Sequence, residues 1–239
     1  MARQIKSAAQ RRGELLDSAQ ALFFEHGYDN TTVNDLIQHA GLSKGGFYHH
    51  FSSKEEVLEA LVERLASASM EQLADVLEHP QLDALARLNA FLSRARQMKV
   101  EQVPHMRGLF DTLFQPGNQV LYHRINAASM AVVCPLLARI IEQGRQEGCF
   151  DVPDAHLAAE TILHLGAASY RIVARALHAA GTEDASKAAD ELEQALHFQG
   201  IVIDRILGLE DGSVNYVEHG FAQAIVQALA ATDRQKDDS

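Results

Sequence analysis

A pair of short amphipathic segments, joined by a turn that contains one glycine, lies between residues 32 and 51 of this 239-residue chain. Apolar side chains at helical spacing predict one helix over residues 32–39 and a second from Ser43 to about residue 49. Thr32 can cap the first helix with its hydroxyl group, and Gly41 can adopt the left-handed conformation that ends it. Two short helices joined in this way form a helix-turn-helix, which places its second helix in a major groove of DNA. The apolar positions are Val33, Leu36, Ile37, Ala40, Leu42, Phe47 and Phe51.

The residues in and around this motif resemble those of a known family. An amphipathic helix is followed by GY, TTVNDL, AGLSKG, FYHHF and SKE, from about Arg11 to Leu61. This series is similar to the DNA-binding domain of TetR-type (tetracycline-repressor-like) transcriptional regulators. The resemblance implies an N-terminal three-helix DNA-binding domain, followed by a larger helical domain that binds a ligand and dimerises.

The composition of the whole chain favours an all-α fold. The chain has only five Pro, is rich in Ala and Leu, and lacks alternating runs of Val, Ile and Thr. Residues 1–12 lack the apolar centre of a signal peptide, and no run of about 18 uninterrupted apolar residues occurs. We therefore expect a soluble cytoplasmic protein that does not enter a membrane.

Charge is unevenly distributed along the chain, whose net charge is −11. Residues 1–54 hold six Lys/Arg and five Asp/Glu, which leaves the rest of the chain with a net charge of −12. Four basic residues fall within the first twelve positions, and we expect them to form an arm that lies along DNA phosphates. An acidic body would help to orient this basic end toward DNA. The four residues are Arg3, Lys6, Arg11 and Arg12.

The sequence predicts two domains, a DNA-binding domain with its basic arm over residues 1–54 and an effector-binding and dimerisation domain over residues 55–239. The first helix is expected over residues 11–26. A capping box of Ser53 and Glu56 begins a connecting helix that extends as far as residue 77. Six further helices are predicted over residues 81–100, 104–114, 118–146, 153–179, 183–209 and 213–230, with a kink at Pro135 in the third.

The resemblance implies a set of DNA contacts in the first domain. Thr32 would contact a phosphate, Asn34 a base edge or phosphate, and Lys44 a guanine. The side chains implied to hold phosphates and set the register are Tyr48, His49, His50 and Lys54.

Alternatives remain for some of these residues. Tyr48 can instead be a core aromatic residue, and His49 and His50 can be one exposed and one packed residue. Gly45 and Gly46 permit close backbone approach to DNA, but each weakens the helix by up to ~1 kcal/mol relative to Ala. We therefore predict that this helix becomes firmly ordered only on DNA.

The segments 153–179 and 183–209 carry broad apolar faces, which predicts a four-helix bundle with their copies across a twofold axis. The resemblance also implies a homodimer, because family members usually dimerise through their last two principal helices. The alternative is that these helices fill the core of one subunit. A dimer would read a double-stranded, palindromic operator.

The resemblance further implies an unknown small-molecule effector inside the helical body. Soft, aromatic and polar side chains suitable for such a site are Met106, Phe110, Phe114, Tyr122, His123, Asn126, Met130, Cys134 and Tyr170. Without a basic cluster in this set, an apolar or aromatic effector is expected, whose binding releases a repressor from its operator. The alternative is a body that acts as a protein-interaction or activation module without an effector.

Other chemistries have little support in the sequence. His156, Glu160 and His164 share one helix face, but no His pair has the i, i+4 spacing of helical metal ligands. No nucleophile, phosphate-loop or dinucleotide motif is present, so we expect neither enzymatic activity, nor a cofactor, nor a metal site. Cys134 and Cys149 would lie about 22 Å apart on one helix, too far for a disulfide. Structural thiols are expected, with redox sensing as the alternative.

Overall fold

The computed structural model describes residues 7–102, 109, 112–115 and 117–237, and throughout this part the regular structure is helical, with no strand. The fold is therefore all-α, as the composition predicted. The described helices are α1 (Ala8–His26), α2 (Val33–His39), α3 (Lys44–Tyr48), α4 (Lys54–Glu71), α5 (Ala74–Leu77), α6 (Ala84–Gln102), α7 (Gln119–Glu147), α8 (Ala155–Ala168), α9 (Tyr170–Ala179), α10 (Ala185–Leu207) and α11 (Phe221–Asp237).

The chain divides into two compact units. The first comprises Met1–Leu65 and His105–Ala128, and the second comprises Ala66–Pro104 and Ser129–Ser239. The first unit thus takes in a stretch far from the N-terminus, which differs from one sequence boundary after residue 54. The functional division into a DNA-binding and an effector domain stays a prediction.

The core of the first unit is built from α1 to α4, because each places its apolar stripe toward the others. Phe23 and Phe47 have no exposed surface, and the ring of Phe23 lies edge-on to Tyr28 with centroids 5.1 Å apart. Such ring pairs add to the stabilisation from burial alone. The other fully buried members are Leu15, Ala19, Leu36, Val57, Leu58 and Leu61.

The first helix starts earlier than predicted. The Ser7 hydroxyl accepts a hydrogen bond from the Gln10 amide (3.2 Å), and the Gln10 side chain accepts one from the Ser7 amide (2.8 Å). This capping box satisfies amides that would otherwise lack partners, so the helix begins at Ala8. Arg11 and Arg12 therefore belong to α1 and not to an arm, whereas Arg3 and Lys6 lie outside the described residues.

The connecting helix is shorter than predicted, because α4 ends at Glu71 and a separate turn of helix, α5, follows. Ser53 caps α4 by accepting a hydrogen bond from the Glu56 amide (3.2 Å), which confirms one half of the predicted box. The other half is shifted by one residue, since the Glu56 carboxylate accepts from the amide and hydroxyl of Ser52 (2.6 and 2.7 Å).

The second unit has its own core, formed mainly by α6, α7, α8 and α10. Gly144 of α7 lies so close to the Phe150 ring that a Cβ atom there would fall 2.1 Å from a ring carbon. Only glycine permits this approach of the helix to the ring. Large buried members of this core are Leu73, Leu88, Phe91, Leu137, Ile140, Ile141, Ile203 and Leu207.

Among the described helices, α7 has the length and the mean hydropathy, 1.5, that a bilayer-crossing helix would need. Charged residues interrupt it at Arg124 and Arg139, which is why no uninterrupted apolar run is visible in the sequence. Its Ile140 and Ile141 are buried in the second unit. The core helix of a folded domain passes the same test of length and composition.

The predicted helix over residues 153–179 is interrupted at Ser169, whose ψ of 3° is far from the helical value. The side-chain amide of Gln199 donates to the Leu165 carbonyl (2.9 Å) and contacts the Ser169 hydroxyl. The Ser169 amide donates to the Gly166 carbonyl (3.2 Å), three residues back, in place of the α-helical bond to Leu165. The single predicted helix is therefore two, α8 and α9.

The last predicted helix begins eight residues late, because residues 213–220 are not helical. The buried Asp204 carboxylate accepts hydrogen bonds from the amides of Gly212 (2.7 Å) and Val214 (2.8 Å), which fixes this segment against α10. Glu193 then accepts from the Gly220 amide (2.9 Å), where α11 starts.

Candidate nucleic-acid interface

The first helix of the helix-turn-helix, α2, is fixed by a reciprocal cap at its N-terminus. The Thr32 hydroxyl accepts a hydrogen bond from the Asp35 amide (3.2 Å), and the Asp35 carboxylate accepts from the Thr32 amide (2.8 Å). The carboxylate also accepts a hydrogen bond from the Thr32 hydroxyl (2.7 Å). These bonds from Thr32 lower the pKa of Asp35 below its ordinary value. The T-x-x-D spacing of a capping box carries this signal, but the sequence analysis assigned Asp35 no role.

The second helix, α3, is short and presents a polar surface. The Ser43 hydroxyl caps it by accepting a hydrogen bond from the Gly46 amide (3.1 Å), and Phe47 anchors it with a fully buried ring. At 3.6 residues per turn, this anchoring turns Lys44 and Tyr48 away from the core, and both are exposed. We call Lys44, Gly45, Tyr48 and His49 the recognition face, since all four are exposed.

The position of Tyr48 distinguishes its two sequence interpretations. Its ring packs edge-on against Phe47, with centroids 5.3 Å apart, yet 51% of the residue is exposed. It is therefore a surface residue supported by a core ring, and not a core aromatic residue. His49 is exposed and His50 is half-buried, with ring centroids 5.0 Å apart.

Positive charge gathers where the start of α1 and the end of α3 lie close together. Burial lowers the pKa of His50, and the charges of His49, Arg12 and Arg11 lower it further. The Arg12 guanidinium lies 5.1 Å from the centroid of the Phe51 ring, close enough for a cation–π contact. The sequence analysis counted these arginines with the basic arm and also placed them at the start of the first predicted helix, and the Ser7–Gln10 capping box puts both inside α1.

Lys54 occupies a different environment from the other predicted DNA contacts. Its ammonium group donates to the backbone carbonyls of Tyr28 (2.8 Å) and Thr31 (2.9 Å), and it lies 4.1 Å from the centroid of the Tyr28 ring. Its predicted phosphate contact remains a prediction, as do the contacts of Thr32 and Asn34, which are both exposed.

The candidate effector residues divide between the two units, and Met106 and Phe110 lie outside the described residues. In the first unit, the rings of Phe114 and Tyr122 have centroids 5.4 Å apart, and His123 is exposed. The Asn126 side-chain nitrogen is buried there without a hydrogen-bond partner. In the second unit, Met130 and Tyr170 are half-buried and Cys134 packs in the core.

The second unit carries an open groove of about 480 Å³ that contains none of these nine candidates. Two proline residues, two arginines and the N-terminus of α8 form its walls. Its lining residues are Pro135, Ala138, Arg139, Glu142, Arg145, Pro153, Asp154, Ala155 and His156.

The described part of the chain gives little support for a metal site or a reactive thiol. No group of three or more His, Cys, Asp or Glu side chains that could hold a metal ion occurs there. His164 Nε2 lies 3.8 Å from Glu160 Oε1 on an exposed surface. Both cysteines are free thiols, and burial raises the pKa of each, which disfavours the reactive thiolate. Cys149 follows the end of α7 and does not share that helix with Cys134, contrary to the prediction.

Comparison with known proteins places this geometry in context. Residues 15–61 match the model of a family described as bacterial regulatory proteins, tetR family. The HTH-type transcriptional repressor KstR2 of Mycobacterium tuberculosis (strain ATCC 25618 / H37Rv) is 52% identical over 52 residues, which are 22% of this chain and 26% of that protein. The HTH-type transcriptional repressor AcnR of Corynebacterium diphtheriae is 31% identical over 118 residues, 44% of this chain and 62% of AcnR. This chain thus spans less than two thirds of these relatives.

Solved structures share the fold over most of the chain. RolR in complex with resorcinol has a TM-score of 0.56 at 21% identity, covering 92% of this chain and 94% of RolR. Thermus thermophilus FadR, a TetR family transcriptional repressor in complex with lauroyl-CoA, has a TM-score of 0.57 at 19% identity, covering 79% of this chain and 92% of FadR. At these identities the likeness establishes the helical architecture.

Proposed function

We propose that this chain, whose residues 15–61 match the tetR family of bacterial regulatory proteins, is a sequence-specific DNA-binding transcriptional regulator. We propose further that it is a dimeric repressor that a small molecule releases from its operator. The observation that carries this proposal is the recognition face on α3. A cation, a glycine backbone, a phenol and an imidazole are exposed together on a helix anchored by buried Phe47.

The chemistry of this face suits a major groove. In this proposal Lys44, at the first turn of α3, donates hydrogen bonds to a guanine edge, and Tyr48 and His49 bind flanking phosphates. Gly45 has no atom within 4 Å of a would-be Cβ position, so the backbone there is open to DNA. Arg12 adds positive charge beside His50, which strengthens attraction to phosphates.

Dimerisation is proposed through the segments 153–179 and 183–209. Support comes from two large apolar side chains exposed in them, Leu157 on α8 (60% exposed) and Phe198 on α10 (66% exposed). A second copy of the chain would bury such residues and gain the free energy of removing them from water. Two heads about 34–36 Å apart would then enter successive major grooves of a palindromic operator.

Release by an effector is proposed by analogy with relatives and from the candidate residues of the body. RolR and FadR bind resorcinol and lauroyl-CoA in their solved structures. Phe114 and Tyr122 offer aromatic surface, and the unpaired Asn126 amide offers a polar anchor. A ligand that binds better to a body conformation with a different head spacing lowers affinity for DNA by shifting the population.

The test replaces two residues of the recognition face. We expect Lys44→Ala and Tyr48→Ala each to abolish binding to DNA selected by the wild-type protein, while sedimentation still reports a dimer. The matched control is Arg94→Ala, which removes an exposed cation from α6. Retention of wild-type affinity by both recognition-face variants would refute the assignment of this face to DNA.

A further inference from the structure

We propose that Lys54 is a positioning residue, whose ammonium group ties the start of α4 to the turn before α2 and does not contact DNA. Only the statement about DNA depends on the proposed function. The tie itself is a property of the folded chain, and it can be measured without DNA.

The contacts of Lys54 leave little of its ammonium group for a phosphate. Lysine has three N–H donors, and two of them are directed at the carbonyls of Tyr28 (2.8 Å) and Thr31 (2.9 Å). The face of the Tyr28 ring covers another side, with its centroid 4.1 Å from Nζ. Burial also lowers the pKa of this ammonium group, as expected for a cation partly withdrawn from water.

The turn that Lys54 holds is the one that sets the start of the helix-turn-helix. The Thr31 hydroxyl donates to the Gly27 carbonyl (2.8 Å), and the Thr31 amide donates to the Tyr28 carbonyl (3.2 Å). The next residue, Thr32, is the N-cap of α2. Lys54 therefore binds the carbonyl that directly precedes this cap.

Lys54 is also the first residue of α4, the helix that leads from the head into the rest of the chain. Its side chain spans 23 residues of sequence to reach Thr31. A displacement of the start of α4 would strain both hydrogen bonds unless the turn moved with it. The tie therefore joins the orientation of α2 to that of α4.

The experiment uses the full chain and three variants. Lys54→Met removes the donors at similar length, and Lys54→Arg keeps the charge but replaces a compact ammonium by a planar guanidinium that cannot reproduce its geometry. Lys44→Met is the matched control, since it removes an exposed lysine of the recognition face. Each is measured for amide hydrogen exchange without DNA, and for the salt dependence of binding to random-sequence duplex DNA.

We expect the amides of Thr31, Thr32 and Asp35 to exchange about tenfold faster in both Lys54 variants, corresponding to a loss of about 1.4 kcal/mol of local stability. The slope of the logarithm of the DNA-binding constant against the logarithm of salt concentration should stay at its wild-type value in these variants. Lys44→Met should leave the exchange of these three amides at its wild-type rate.

The opposite pattern would overturn the proposal. Lys54 would be a phosphate contact if both Lys54 variants exchanged these amides at the wild-type rate. In that case the salt slope of DNA binding would fall by about one in Lys54→Met and stay unchanged in Lys54→Arg. If the wild-type chain bound no DNA, the proposed function would fail, and the exchange rates alone would then decide whether the tie exists.

Discussion

At the scale of single residues, buried polar side chains fix the segments between helices. Arg87 is 8% exposed. Its guanidinium donates to the carbonyls of residues 76, 77, 79 and 82 at 2.6 to 3.0 Å, and to the Gln143 side chain at 2.8 Å. The carboxylates of Asp204 and Glu193 likewise accept hydrogen bonds from backbone amides in residues 212–222. Sequence patterns could not predict these roles, because the partners are backbone groups that every residue carries.

The first prediction concerns Arg87. We expect Arg87→Leu to lower the free energy of unfolding by at least about 2 kcal/mol, because several buried carbonyls lose their donors. The measurement is urea unfolding of the full chain followed by circular dichroism.

Arg94→Leu on the same helix is the control, since Arg94 is exposed and donates to the Gln97 side chain (3.0 Å). Its effect should stay within about 0.5 kcal/mol. Equal effects of the two substitutions would contradict the account of Arg87.

At the scale of elements, short-range patterns predicted the helix-turn-helix well. Apolar spacing, the Thr32 cap and the glycine at residue 41 define α2, and the Ser43 cap with buried Phe47 defines α3. The break at Ser169 was not predicted, and it coincides with a contact from Gln199, thirty residues away in sequence, which no local pattern indicates. The late start of α11 also has a long-range origin, since side chains of α10 form hydrogen bonds with the backbone of the segment that precedes it.

In the candidate site, too, local sequence patterns predicted some positions, whereas others depend on contacts between residues distant in sequence. Lys44 and Tyr48 stand where the spacing of the motif placed them, exposed on α3. Lys54 has the sequence position of a phosphate contact, but its environment depends on where the turn at residues 28–31 lies in space. Arg12 lies within the predicted range of the first helix, but its place beside Phe51 and His50 depends on how α1 packs against α3.

The second prediction concerns Gly45 in α3. We expect Gly45→Ala to stabilise α3 by up to ~1 kcal/mol, since the new methyl group meets no atom within 4 Å and alanine favours the helix. Amides of α3 should then exchange more slowly without DNA. Affinity for DNA should fall, because the methyl group prevents close approach of the backbone.

Gly13→Ala in α1 is the control, because it also introduces a methyl group into open space within a helix. It should stabilise the chain without a change in DNA affinity. In the wild-type chain, exchange in α3 should slow when DNA is added. Equal exchange with and without DNA would contradict the prediction that α3 becomes firmly ordered on DNA.

At the scale of the whole molecule, charge and exposed apolar surface support a dimeric DNA reader. Residues 55–239 carry the acidic excess of the chain, while positive side chains of the first unit gather at the ends of α1 and α3. An acidic body repels DNA and leaves the head as the part that approaches it. Leu157 and Phe198 offer the second unit a surface for its own copy.

The most direct test of a dimeric, sequence-specific reader is to incubate the purified protein with sheared DNA from its own source at near-physiological salt and to sequence what it retains. We predict a short palindrome whose half-sites are separated by about one helical turn or a multiple of it. Retention of only salt-sensitive DNA of random sequence would contradict the account, since the chain would then bind phosphates without reading bases.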